Sequence, residues 1–528
     1  MHEVRIGRRL VGRGQPVYFV AEAGSNHDGD LAQARRLIEV ASRAGADAVK
    51  FQTFRAEKLY ARGAGQTKYL RMEKSIFDVI RELEMPLEWI APLAAYAGEL
   101  GLDFLSTPFD EESADALAPY VPAFKIASYE MTHHALIQHC ARKGKPLIVS
   151  TGTADLREVR EMVEAVRAVG AEQLIVLQCT AKYPAPLGAL NLNAMTTLTR
   201  ELGVPVGFSD HSREPLPGPA AATALGACVI EKHFTLSNHL AGPDHPYAVE
   251  PEELAEAIRV VRQVEAALGS GLKVPQPEEE ELRRFARRSV FTTKPVLAEE
   301  RLTVENLAVL RSGQLPCKLE PSRFVRMLGR VARRDLAAET AVGEEDVGTL
   351  ELVEPGVRLR PLAPDHIDLV VAWRSRPEIL EAIFSAAPPT RAEHEKWFQA
   401  LERRSDRLEF VILDEERPVG TIGLSAIDLG ARQAEYGILI GEPDARGRGV
   451  ASRASRALLK YAFDVLCLRR VSLELFVDNR VAHRFYEHLG FVDEPERTPP
   501  RVKDGAPRPV VRMGLERASW SSREGEVP

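Results

Sequence analysis

Long apolar runs are missing from this chain of 528 residues; none approaches the ~18 consecutive apolar positions that a membrane span needs. The run from Val17 to Ala21 is too short for the apolar centre of a secretion signal, so a cytoplasmic protein with no membrane partner is expected. Cysteine is scarce too. Cys140, Cys179, Cys228, Cys317 and Cys467 are scattered without C-x-x-C spacing, which argues against a disulfide framework or zinc cage and suggests small buried hydrophobes. Positive charge is not in excess: 69 Lys plus Arg against 76 Asp plus Glu leave a net charge of −7, without the basic footprint of a nucleic-acid binder. What is present is globular: 45% hydrophobic and 27% charged residues exclude disorder and fibre. At roughly 150 residues per domain, the length suggests about three domains.

The first half alternates short β-rich runs with amphipathic stretches. The runs are "VYFVAE", "ADAVKFQ", "LDFLSTP", "AFKIAS", "PLIVSTG", "QLIVLQC", "VPVGFSD" and "ACVIEKHF". Helical stretches stop at Gly45, Gly101, Gly144, Gly170, Gly203 and Gly226, each suited to a left-handed cap. Eight strand-helix units over residues 1–275 predict an α/β fold of the TIM (β/α)8 barrel type. A doubly wound open sheet competes, but no G-x-G-x-x-G follows the first strand. Residues 54–86 form an unusually long second βα connection, of the kind that covers an active site. The acidic, Pro-containing "SGLKVPQPEEEE" reads as a linker. Residues 281–350 predict a small β-rich unit with an internal echo, "LAEERLTVENL" returning as "AAETAVGEEDV". Residues 356–516 predict an α+β domain, and 517–528 a disordered tail.

In a barrel, chemistry belongs at the carboxyl ends of the strands, where side chains two apart face the same way. Those ends carry Glu22, Lys50 with Gln52, Lys125 with Ser128, Ser150, Ser209 with His211, and Glu231 with His233. Two inward imidazoles on adjacent strands could share a divalent metal, or serve as hydrogen-bonded core residues. Two buried lysines side by side imply an anionic ligand, with ion pairing to Glu22 and Glu231 as the alternative.

"AEAGSNHDGD", "AGADAVKFQTFRAEKLY", "FLSTPFD", "FKIAS", "STGTAD", "GFSDHS", "EKHFTL" and "GPDH", in that order, give residues 1 to about 350 a resemblance to the sialic acid synthase family. Such enzymes condense phosphoenolpyruvate with an N-acyl hexosamine to a nine-carbon acid. The resemblance implies Mn2+ or Mg2+ on His211 and His233, with Glu22 and His233 catalytic. It places Lys50, Lys125, Ser128, Ser150 and Ser209 on phosphate and carboxylate, and Glu22, Gln52, Tyr183, Glu231, Asp244 and Arg311 around the sugar or its metal. Residues 281–350 resemble the family's antifreeze-like SAF domain, which supplies Arg311 to the partner's barrel in a domain-swapped homodimer. Two departures stand out: Ala181 in "CTAKYP" replaces the usual Asn, and Ser312 replaces Pro after Arg311.

In the last domain, "ARGRGVAS" follows a strand and opens a helix, so Arg446, Gly447, Arg448, Gly449 and Ala451 can turn backbone amides toward a pyrophosphate. This spacing, with "VDNRVAHRFYEHLGF", resembles the GNAT acetyltransferases. The resemblance implies acetyl-coenzyme A as cosubstrate, Asn479 as a cofactor contact, and Tyr486 as the acid that protonates the thiolate. Tyr486 as a core aromatic is the alternative. "VAWRSRPEI" and "RAEHEKWF" resemble the subgroup that acetylates nucleotide-linked sugars or protein amino termini. His394 then stands either near the acceptor or on a surface helix face.

The combination implies a bifunctional enzyme of diacetamido-nonulosonate (legionaminic or pseudaminic) biosynthesis, acting on phosphoenolpyruvate and amino sugars. An N-acetylneuraminate synthase using N-acetylmannosamine, its acetyltransferase serving another amine, is the second expectation. A non-catalytic sugar-binding scaffold is the third.

Overall fold

Each of the eight apolar runs forms a strand in a computed structural model of the chain, which describes residues 3–66, 74–495 and 498–521. They are β1 (Tyr18–Gly24), β2 (Ala48–Thr53), β3 (Asp103–Pro108), β4 (Phe124–Ile126), β5 (Leu147–Ser150), β6 (Leu174–Cys179), β7 (Val206–Asp210) and β8 (Val229–His233). All are parallel, in the order β3-β2-β1-β8-β7-β6-β5-β4. β3 and β4 are neighbours without a registered ladder, so the barrel is nearly closed. Its strands are almost wholly buried, as parallel strands covered on both faces must be. All six predicted helix-stop glycines take positive φ, between 66° and 90°.

Strand periodicity positions the site. One core layer joins Tyr18, Val20, Ala48, Leu105, Ile148, Ile175, Leu177 and Val229 to Val4, Ile6 and Val11 of an N-terminal hairpin. That hairpin closes the amino end of the barrel. Continuing two residues at a time along the same strand faces, the side chains turn polar: Glu22, Lys50, Thr107, Ser150, Glu231 and His233.

The chain divides into two compact units, Met1–Lys273 and Val274–Pro528. In the second, β9 (Arg288–Thr292) pairs with β10 (Leu307–Arg311), and isolated bridges such as Val296 with Leu336 complete the small segment. The echo of 40 residues is visible in the backbone. Glu299 and Glu339 both take positive φ, and Leu302 and Val342 are both buried. A mixed sheet follows, with β11 (Leu352–Glu354), β12 (Val357–Pro361), β13 (Leu408–Asp414), β14 (Arg417–Asp428), β15 (Gln433–Ile440), β16 (Arg470–Phe476), β17 (Val492–Asp493) and β18 (Val510–Glu516). Among the described residues, β15 with β16 is the one parallel pair of neighbours in this sheet. The small segment and this sheet share one apolar core, and the Tyr461 hydroxyl donates to the Leu328 carbonyl, 2.9 Å.

The tail expected to be disordered from 517 is corrected in its first turn. Arg517–Ser521 is helical because the Trp520 indole is buried against Phe463, ring centroids 6.0 Å apart. The rest of that tail, with residues 67–73 of the long barrel connection, lies outside the described residues.

Candidate active sites

The barrel mouth is built by strand register. Glu22 on β1 lies opposite Lys50 on β2 and His233 on β8, and Glu231 lies opposite Ser209 on β7. The Lys50 ammonium is 2.6 Å from Glu22 and 3.7 Å from Glu231, and Lys125 is 3.5 Å from Glu231. The two lysines therefore flank one carboxylate, with both ammonium groups almost completely buried, so the ion pairing to Glu22 and Glu231 that the sequence offered as the alternative is present among the described residues. Gln52 donates to Glu22 (3.0 Å) and Ser209 to Glu231 (3.1 Å). Ser128 accepts the Gly152 amide at 3.0 Å, and the buried Ser150 hydroxyl has no hydrogen-bond partner among the described residues.

The imidazoles of His211 and His233 meet nearly edge to face, centroids 5.2 Å apart. Tyr183 stacks on His211 at 4.2 Å, and Tyr247 packs against His233 at 5.5 Å. Burial keeps both histidines neutral: His211 is pushed down to about 3 and His233 well below the usual imidazole range. His233 Nδ1 is buried and has no hydrogen-bond partner among the described residues. Neutral imidazole nitrogens are metal donors, so this pair fits a divalent cation that takes its other ligands from water and substrate. No cluster of three or more His, Cys, Asp or Glu suited to a metal occurs among the described residues.

The charges are unevenly shared. Burial raises Glu22 to about 7 despite Lys50 beside it. Burial also raises Glu231, but Lys125 and Lys50 together outweigh it and hold that carboxyl below its usual range. Lys50 is held above its usual value because Glu22 and Glu231 overcome its burial, whereas burial wins at Lys125 and lowers it. Asp244 reaches the same mouth, its Oδ2 3.0 Å from where a Cβ on Gly24 would stand; Gly24 has φ 55°, so glycine suits this position twice over. Ala181 packs against Gly152. Arg311 is exposed at the end of β10, and Ser312 beside it is buried.

Three neighbours escaped sequence reasoning. Thr107 accepts from Lys50 at 3.2 Å, Tyr247 contacts both Tyr183 and His233, and Cys179 lies 3.7 Å from the His211 ring nitrogens. Thr107 carries a signal, being two residues past Leu105 in "FLSTP"; Tyr247 reaches the mouth only through the folding of its loop.

In the second unit β15 pairs with β16 only over Gln433–Glu435, and beyond it the two strands part. The edge of β15 from Tyr436 to Ile440 is thereby left open on that side. Helix Val450–Lys460 begins at Gly449 with no side-chain cap, and Gly447 and Gly449 both have φ 74°. First-turn amides are thus available to an anion. Arg448 is 3.0 Å from Asp414, and Arg446 is 3.6 Å from Glu378. Ala451 lies in the helix's first turn. Asn479 caps helix Arg480–Leu489, accepting the Ala482 amide at 3.2 Å. Tyr486 is buried against Tyr436 and Phe491, and burial pushes its phenol up to about 12. The surface placement considered for His394 is corrected: it is 5% exposed, stacked on Trp397 at 4.8 Å, because its helix turns this face toward the sheet.

Two family models match this chain: the NeuB family over residues 37–273 and the acetyltransferase (GNAT) domain over residues 357–492. The spore coat polysaccharide biosynthesis protein SpsE of Bacillus subtilis is 43% identical over 365 residues, 66% of this chain and 98% of that one. The N,N'-diacetyllegionaminic acid synthase of Legionella pneumophila is 38% identical over 340 residues, 63% of this chain and 94% of that one. Both matches take in more residues than the first unit holds, so the likeness continues beyond the barrel. A solved structure from Chromobacterium violaceum, provisionally assigned as spore coat polysaccharide biosynthesis protein E, is 27% identical with a TM-score of 0.52. It covers 63% of this chain and 100% of its own.

Proposed function

The chain belongs to the NeuB family and is a synthase of the sialic acid type joined to a GNAT N-acetyltransferase; on that premise we propose that it makes a nonulosonic acid of the legionaminic or pseudaminic type. Its barrel condenses phosphoenolpyruvate with a 2,4-diacetamido-trideoxy hexose. Its GNAT domain acetylates an amino sugar, carried on a nucleotide, from acetyl-coenzyme A.

The observation that carries this reading is the meeting of Lys50 and Lys125 beside the His211–His233 pair at one end of the barrel. Two buried ammonium groups suit a compact substrate with both phosphate and carboxylate. Lys50, Lys125, Ser128, Ser150 and Ser209 hold those groups. Gln52, Tyr183, Glu231 and Asp244 line the sugar, joined by the partner subunit's Arg311 in a domain-swapped homodimer whose 281–350 segment is the SAF domain. A divalent cation, Mn2+ or Mg2+, held by His211 and His233, supplies a Lewis acid for the sugar aldehyde. The enolpyruvate methylene adds to the aldehyde carbon. Glu22, poised near neutrality, is placed to deliver a proton to the new alkoxide. Water adds to the oxocarbenium carbon, and phosphate leaves by carbon–oxygen cleavage.

In the second domain, the open edge of β15 takes the cofactor's arm, and Arg446, Gly447, Arg448, Gly449 and Ala451 take its pyrophosphate. Asn479 borders the cofactor, and Tyr486 keeps its proton at neutral pH and can pass it to the departing thiolate. Mass spectrometry after incubation with phosphoenolpyruvate, Mn2+, acetyl-coenzyme A and a panel of amino sugars, free and nucleotide-linked, tests both halves. Phosphate release and a nine-carbon acid from the diacetamido sugar are expected, with an acetyl group gained by a nucleotide-linked amine. Turnover of N-acetylmannosamine but not of the diacetamido sugar overturns the acceptor assignment.

A further inference from the structure

One charged pair at the barrel lies outside the chemistry above. Lys232, between Glu231 and His233 on β8, is completely buried. It faces away from the mouth, since neighbours on a strand point to opposite sides. Its Nζ donates to Asp210 Oδ2 at 2.8 Å, to the Ser212 carbonyl at 2.5 Å and to the Glu214 carbonyl at 3.0 Å, with the Ser212 hydroxyl at 3.3 Å. The other Asp210 oxygen accepts the Ser212 amide at 2.8 Å. The ammonium therefore gathers the chain on both sides of His211, residues 210 and 212–214, around one point.

The register gives this gathering its consequence. Lys232 lies opposite Asp210 in the parallel ladder, and each is followed by one imidazole, His233 and His211. Holding positions 232 and 210 outward obliges 233 and 211 to face inward at one height. The outer helix Pro217–Ala224 makes room for the pair, because a Cβ on Gly218 would stand 2.6 Å from Asp210 Oδ2. A lysine suits the task, offering three donors on a flexible stem where the planar guanidinium of arginine needs more space.

We propose that Lys232 is a positioning residue for the metal pair, its ammonium fixing the turn that presents His211 beside His233. The inference rests on the reading of those histidines as the metal ligands. Residues that orient metal ligands from behind set how tightly the metal is held, so metal affinity is a direct readout of their role.

The test uses the full-length protein with Mn2+ alone as probe, free ion being followed by electron paramagnetic resonance. Lys232→Met is expected to weaken Mn2+ binding about 10- to 100-fold, while saturating Mn2+ restores kcat to within about threefold. A folded Lys232→Met that binds Mn2+ like wild type overturns the proposal. If this variant does not fold, the double variant Lys232→Met with Asp210→Asn, which leaves no unpaired buried charge, is read by the same criterion. Should that fail too, hydrogen exchange of the wild type decides. Mn2+ is expected to slow the amides of residues 212–214, and unchanged exchange overturns the proposal. Wild-type protein that binds no Mn2+ overturns the metal reading itself and this inference with it, a result distinct from equal binding by both forms.

Discussion

Glu22 and Glu231 both neighbour Lys50, yet their carboxyls are displaced in opposite directions. Glu231 has two ammonium groups within reach, whereas Glu22 has one and also feels the negative charge of Glu231. A carboxyl raised from 4.5 to about 7 binds its proton more tightly in the folded state. Its contribution to stability is therefore present in full below about 4.5 and is lost as the pH rises through about 7. Wild type is expected to lose on the order of 1–3 kcal/mol relative to Glu22→Gln between pH 5 and 8. Thermal midpoints of the two proteins across that range check this, and a gap that moves in wild type's favour with rising pH contradicts it. The lysines, serines and histidines of the mouth were legible as residues because strand ends in a barrel ought to carry Val or Ile, and polar groups there need a reason. Thr107 carried only the weak signal of its place two residues past Leu105, because threonine is an ordinary strand residue until a lysine is found beside it, whereas Tyr247 carried none.

At the scale of elements, the glycine stops and strand runs predicted the barrel well, since each is a local preference: a left-handed cap, or an apolar run bounded by turns. Asn479 shows the limit of such reasoning. Its motif implies a cofactor contact, and its side chain caps the helix that carries Tyr486. Asn479→Ala is expected to cost about 1 kcal/mol of stability through the lost cap. Calorimetry reads that loss, and the KM for acetyl-coenzyme A reads the other role separately. A rise in KM without change in stability would assign the side chain to the cofactor alone. Helix 391–403 makes the same point. The resemblance leaves His394 either near the acceptor or on a surface helix face, and packing decides that it is buried.

At the scale of the whole molecule, every residue from 266 to 279 is exposed, across the boundary between the two units. Limited proteolysis is expected to cut there first and release two fragments near residue 273, read by mass spectrometry; first cuts inside either unit contradict the division. Because the chemistry of a barrel is gathered at strand ends, the sequence by itself determined the barrel, the acetyltransferase pattern and most of the polar set at the mouth. Periodicity and spacing act over one or two elements, so they can be read along the chain. The tertiary structure alone decided that the two lysines share one carboxylate, that Lys232 closes on the turn bearing His211, and that Trp520 anchors the final helix in a core begun at Val290. These depend on which residues long-range packing brings within a few ångströms and removes from water, and no local rule contains that information.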